Sequence, residues 1–148
     1  MRAEIVPLLA IDEQQRFREE DPYSEYWTNV CGTQSITLRS RFEVDLNRPR
    51  EEAVYRTPED AWGIPIWKQT PDDSTLQASL AEHDRFYSTL KKELAEIEAR
   101  LGRFVVLDFH SYNHQRNGPE TLVADPAFNP EINVGTGTSS RRLYQGIA

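Results

Sequence analysis

Three groups of side chains in this sequence are of types that do chemistry. His110 closes the run Leu107-Asp108-Phe109-His110-Ser111, and imidazole is the commonest metal ligand among side chains. The acids Glu19, Glu20 and Asp21 stand immediately ahead of Pro22-Tyr23; hard carboxylates are what a divalent ion takes alongside histidine, and the proline fixes the chain direction there. The third group is Arg41, Asn47 and Arg48. A guanidinium offers forked donors that match a carboxylate, and an adjacent amide adds a neutral donor that sharpens orientation. Taken singly, each group has a plainer reading: a core histidine satisfied by backbone, a solvated helix end, and a charged strand face with cross-strand pairs.

Other reactive types carry less. His114 follows His110 by four residues, but in an extended segment at roughly 3.3 Å per residue the two stand about 13 Å apart, too far to share an ion. His83, set between Glu82 and Asp84, is expected to face solvent. Cys31 is the single cysteine, so it makes no internal disulfide or thiolate cage; it is expected as a small buried hydrophobe.

The elements that must position these groups can be read from periodicity. Residues 12–20 are polar, of helical composition, and stop at Pro22. In 36–46, Ile36, Leu38, Phe42, Val44 and Leu46 occupy even positions while Thr37, Arg39, Arg41, Glu43 and Asp45 occupy odd ones. That alternation predicts a half-buried strand with Arg41 on its charged face, Asn47 continuing that face, and Arg48 turned by the bend before Pro49. Residues 50–75 are punctuated by Pro58, Gly63, Pro65 and Pro71, and Trp62, Ile64, Ile66 and Trp67 should hold this irregular stretch against the core. Leu76, Leu80, Tyr87, Leu90, Leu94, Ile97 and Leu101 lie at steps of three, four and one seven, which predicts a helix over 76–101. Asp73 or Ser74 offers its N-cap, and Gly102 a left-handed C-cap. The run 103–110 is β-branched and apolar on both faces, the pattern of an interior strand. Strand, helix and buried strand together predict an α/β fold: a mixed, largely parallel sheet flanked by helices, with ligands gathering beyond the strand ends where His110 and Ser111 stand.

Composition narrows the function. The chain has 148 residues, which suits one domain, with 24 acidic against 17 basic side chains and a net charge of -7. Such a chain gains nothing from counterion release on a phosphate backbone, so no nucleic-acid partner is expected. The longest apolar runs, 5–11 and 104–107, fall short of the roughly 20 residues that cross a bilayer, and the N-terminus makes a poor secretory signal. A cytoplasmic protein without a membrane partner is the expectation. Hydrophobic residues make only 38%, yet three Trp, six Phe and six Tyr argue for a packed chain. From Tyr112 onward a long loop with Pro119, Pro126 and Pro130 lacks a pattern of its own, which predicts an incomplete domain.

In their order along the chain, these segments resemble one family. Glu20-Asp21-Pro22-Tyr23, Ser40-Arg41-Phe42-Glu43-Val44-Asp45-Leu46-Asn47-Arg48-Pro49, Leu107-Asp108-Phe109-His110-Ser111 and Asn133-Val134-Gly135-Thr136 are similar to the N-formylglutamate amidohydrolase family. SRFEVDLNRP with LDFHS is specific; EDPY or NVGT alone is weak. The resemblance implies a zinc amidohydrolase of zinc carboxypeptidase-like fold, releasing formate and glutamate from N-formylglutamate, or an acid and an amino acid from a related N-acyl amino acid. It implies that His110 and Asp21, with Glu19 as the alternative acid, are zinc ligands. Arg41 would polarise the scissile carbonyl, and Asn47 with Arg48 would grip a substrate carboxylate.

The family's first zinc histidine lies upstream of the segment matching Pro7 to Leu9, and its glutamate proton shuttle lies beyond Asn133-Val134-Gly135-Thr136. Here no histidine precedes His83. The resemblance thus implies a single partial domain over 1–148, truncated at both ends, with two of three protein ligands. Two further readings follow: an inactive relative that only binds an acidic ligand, and a domain that self-associates or takes a partner chain to complete its fold and site.

Overall fold

The computed structural model describes residues 1–112, 122, 125–127, 130, 132 and 133. The chain divides into two units, Met1–Tyr112 and Asn113–Ala148, and the elements below belong to the first. Helix α1, Glu13–Glu19, begins where Asp12 accepts the Gln15 N–H at 2.7 Å, the side-chain cap its orphan N–H groups need. Arg16 and Glu20, four apart, pair at 2.9 Å over its last turn. Helix α2, Asp73–Leu101, is capped by Asp72, one residue ahead of the two expected caps, with the Thr75 N–H donating to it at 2.8 Å. Gly102 ends α2 at φ +77°, a conformation glycine adopts without strain, and its N–H closes on Glu98 O at 2.8 Å. Four short 3-10 turns are the other helical elements among the described residues: Val6–Leu8, Ser24–Val30, Arg50–Glu52 and Pro58–Ala61.

Two apolar clusters hold these pieces. Ile5, Leu9, Ile11, Phe42, Tyr55, Ala61 and Ile66 form one, with Trp67 and Ile64 packed on it. Val44, Ala53, Val54, Leu76 and Leu80 form the other, with Leu46 at its edge. Phe42 and Val44 thus tie the clusters through one short segment. Beside them the carboxylate of Glu43 is buried and takes the Arg2 N–H and Nε at 2.8 Å each, while Arg2 also donates to Thr75 O at 3.1 Å and Ser79 Oγ at 2.6 Å on α2.

The expected mixed, largely parallel α/β sheet is not there. Among the described residues the chain is helical, and its only β pairing is an isolated antiparallel bridge between Leu9 and Trp67. In 36–46 the period of two collapses: Glu43 and Asp45, expected on the solvent face, are buried at 1% and 3%, whereas Ile36 and Leu38 are 47% and 89% exposed. The Glu43 and Val44 N–H groups both turn back to Ser40 O, at 3.0 and 3.2 Å, and so are spent locally instead of on a ladder. Residues 103–110 lie in no helix or strand, with Val105 81% and Leu107 59% exposed. A strand is stable only beside others, and among the described residues none pairs with this segment.

Two smaller expectations are also overturned. Cys31 is exposed, because it follows the Ser24–Val30 turn out into a polar stretch where its thiol meets the Thr33 and Thr28 carbonyls at 3.3 and 3.7 Å. His83 is buried at 7%, because it sits on the same face of α2 as Leu76 and Leu80.

Candidate functional site

The site begins at the end of α1. Past Glu20 the chain reverses through two left-handed residues, Asp21 at φ +46° and Tyr23 at φ +68°. An aspartate tolerates that region better than a tyrosine, and non-glycine residues held there cost of order 1–3 kcal/mol each, so the surrounding bonds must hold them. Ser24 Oγ donates to Asp21 O at 2.9 Å, and Ser111 Oγ donates to Pro22 O at 3.2 Å, pinning residues 21–22 to 110–111.

That pinning brings His110 to Asp21. Its Nδ1 lies 3.1 Å from Asp21 Oδ2, and its Nε2 lies 3.1 Å from Asp108 Oδ2. With a carboxylate on each nitrogen the imidazole is held as a cation: Asp108 first and Asp21 second push its pKa up from 6.5 to about 10. Asp108 in turn is held below the usual carboxylate value by its bond to His110.

Asp21 also faces the guanidinium group. Arg41 Nη1 reaches Asp21 Oδ1 at 3.5 Å and donates to Glu19 O at 3.1 Å. Its Nη2 lies 3.6 Å from Asp45 Oδ2, and Arg48 Nε stands at the same distance from that oxygen. Asp45 is buried and accepts the Tyr55 hydroxyl, and burial followed by this bond raises the Tyr55 pKa above its ordinary 10.0. Both guanidinium groups stack on aromatic rings, Arg41 on Trp62 at 5.2 Å, Arg48 on Tyr55 at 4.7 Å and Trp62 at 5.7 Å. Trp62 holds its place as the left-handed C-cap, φ +56°, of the Pro58–Ala61 turn, which Thr57 and Asp60 close with a capping box.

Four of the five expected residues therefore converge: His110, Asp21, Arg41 and Arg48 form one chain of contacts through Asp21 and Asp45. Asn47 is exposed beside Arg48, its backbone N–H donating to Asp45 Oδ1 at 3.0 Å. The acid on His110 is Asp21, not Glu19, whose carboxylate lies 3.5 Å from Arg18 Nε. His114 and residues 134–136 lie outside the described residues. Asp45, Tyr55, Trp62 and Asp108 were not anticipated. A signal existed for Asp108, since residues two apart in an extended chain share a face; Asp45 was hidden because alternation assigned it to solvent.

The donor set can be tested against zinc. Two donor atoms on one tetrahedral zinc, at about 2.0–2.1 Å each, lie roughly 3.4 Å apart, close to the 3.1 Å between His110 Nδ1 and Asp21 Oδ2. An imidazole nitrogen and a carboxylate oxygen suit that ion, and Asp108 on the other nitrogen stands where an outer carboxylate would orient a ligating histidine. These residues fit two adjacent positions, and no group of three metal-binding side chains occurs among the described residues. Nor is any helix among them long and apolar enough to cross a membrane.

Compared with known proteins, residues 1–147 match a family model described as N-formylglutamate amidohydrolase. No curated protein and no solved structure matches the chain.

Proposed function

Since the chain belongs to the N-formylglutamate amidohydrolase family, a family of hydrolases, we propose that its site is a zinc-dependent amidohydrolase centre for N-formylglutamate or a related N-acyl amino acid. Asp21 and His110 are the ligand pair, and Arg41, Asn47 and Arg48 are the cradle for the substrate. The observation that carries this reading is the unbroken contact from His110 to Asp21 at 3.1 Å and from Asp21 to Arg41 at 3.5 Å.

Zinc, when bound, lowers the pKa of its water from about 15.7 to about 7 and so supplies a nucleophile at neutral pH. His110 must first give up a proton, because only the neutral ring ligates. Arg41 stands next to the ligating carboxylate and offers N–H groups to the amide oxygen as negative charge develops there. Arg48, braced on Tyr55 and Trp62, presents a fork to the substrate carboxylate, and the Asn47 amide fixes its rotation. Hydrolysis breaks the acyl C–N bond, adds the elements of water, and releases formate and glutamate in the N-formyl case.

The test is incubation of the full chain with zinc and N-formyl-L-glutamate. Formate release is expected, with His110→Ala and Asp21→Asn each lowering it more than about 100-fold. Neither formate nor any heat of ligand binding would overturn the reading. A second reading, a binder of acidic ligands without turnover, is favoured by one observation: Arg41 and Arg48 are braced by Trp62, Tyr55 and Asp45, an arrangement that needs no metal ion to hold a ligand carboxylate. Heat on titrating glutamate with no formate produced selects it.

A further inference from the structure

The segment Leu46-Asn47-Arg48 would be an exposed loop were it not bonded on both sides. From one side, Tyr87 Oη on α2 donates to Leu46 O at 2.6 Å, and one turn earlier His83 Nε2 meets Arg48 O at 3.0 Å. These are the carbonyls on either side of Asn47. A carbonyl only accepts, so His83 carries hydrogen on Nε2. The two rings lie 4.6 Å apart and, at a spacing of four, share one face of the helix. Leu76 and Leu80 root that face in the second apolar cluster, beside Val44 and Leu46. From the other side, Asp45 Oδ1 takes the Asn47 N–H at 3.0 Å, and Asp45 O takes the Arg48 N–H at 3.3 Å.

We propose that His83 and Tyr87 are positioning residues: a two-point clamp from α2 that fixes the Asn47–Arg48 backbone in the orientation that receives a ligand carboxylate. This rests on the cradle assigned above. Neither residue touches the ligand; each acts by removing the freedom the segment would otherwise lose on binding. A bond made before the ligand arrives raises affinity without adding a contact.

Affinity for N-formyl-L-glutamate, measured by calorimetry on the full chain, should weaken about 3- to 10-fold in Tyr87→Phe, the worth of one neutral hydrogen bond. His83→Phe should weaken it similarly, and His83→Gln, which keeps an N–H for Arg48 O, should restore much of the loss. Zinc affinity should stay near wild type, because His83 and Tyr87 bond to Arg48 and Leu46 and not to His110 or Asp21, and the melting midpoint should fall by only a few degrees, the cost of one hydrogen bond. Amide hydrogen exchange at Asn47 and Arg48 should quicken in both Phe variants. Unchanged exchange there overturns the clamp, as does equal loss of ligand binding, zinc binding and thermal stability, which would mark a general packing role. A wild type that binds neither zinc nor N-formyl-L-glutamate defeats the proposed function instead, while the exchange rates still decide the clamp.

Discussion

Asp45 is the residue on which the cradle turns. Its carboxylate is 5% exposed and faces Arg41 and Arg48 at 3.6 Å each while accepting the Tyr55 hydroxyl. Two guanidinium groups this close would repel without it. Removing one partner of a buried charge cluster costs about 3–5 kcal/mol, so Asp45→Asn should lower the free energy of urea unfolding by about 3 kcal/mol and loosen both arginines. Tyr55→Phe removes only a donor and should cost about 1–3 kcal/mol. The hydroxyl also sets a pH dependence. Its folded pKa lies above the unfolded value of 10.0, because burial, then Asp45, disfavours the phenolate. Its contribution is therefore complete below pH 10 and is lost as pH rises beyond it, since the unfolded chain releases the proton that the folded one retains. Wild type should lose stability more steeply than Tyr55→Phe above pH 10; parallel slopes in alkaline denaturation would contradict this.

The short Pro58–Ala61 turn matters because Trp62 is its cap. Asp60 accepts the Arg56 and Thr57 N–H groups at 2.8 and 2.9 Å, and these bonds hold its carboxyl below the usual carboxylate range. A depressed pKa contributes stability above the unfolded value, near 3.9, and that contribution fades as pH falls through the folded one. Asp60→Ala should lower the melting midpoint at pH 7, with the difference from wild type shrinking toward pH 3. Because the turn places Trp62 under both guanidinium groups, the variant should also weaken ligand affinity; unaltered affinity would remove Trp62 from the cradle. Helices like these were legible in the sequence, since caps and spacing are local properties. α1 and α2 begin within a few residues of their expected starts, and the step of seven between Leu80 and Tyr87 is the gap His83 fills. Strands were not legible, because pairing is decided by neighbours the segment itself does not encode. Val105 and Leu107 carry strand composition and pair with no strand among the described residues.

For the molecule as a whole, the ordered motifs foretold which distant segments meet: His110 and Asp21 are 89 residues apart in sequence and 3.1 Å apart in space. The supporting roles of Asp45, Tyr55 and Trp62 are not legible in the sequence, because buried polar support is chosen by packing around a motif, not by the motif. Among the described residues, the far half of α2 packs against less than its first turns do. Its first turns are buried through Leu76, Leu80 and His83, but beyond Tyr87 its apolar stripe opens into a shallow groove where Leu90, Leu94 and Phe104 lie between Lys91 and Glu98, and Leu101 is 59% exposed. Apolar side chains grouped on a charged helix are a surface that a partner can cover. A two-fold pairing of like surfaces is self-complementary when each carries both signs, here Lys91 of one copy against Glu98 of the other. Self-association through this stripe predicts that sedimentation velocity shows mass rising with concentration. Leu94→Glu, at a half-buried position in the groove, should hold the chain monomeric with its helical circular dichroism intact. A wild type that sediments as a monomer at every concentration would leave the stripe without that role.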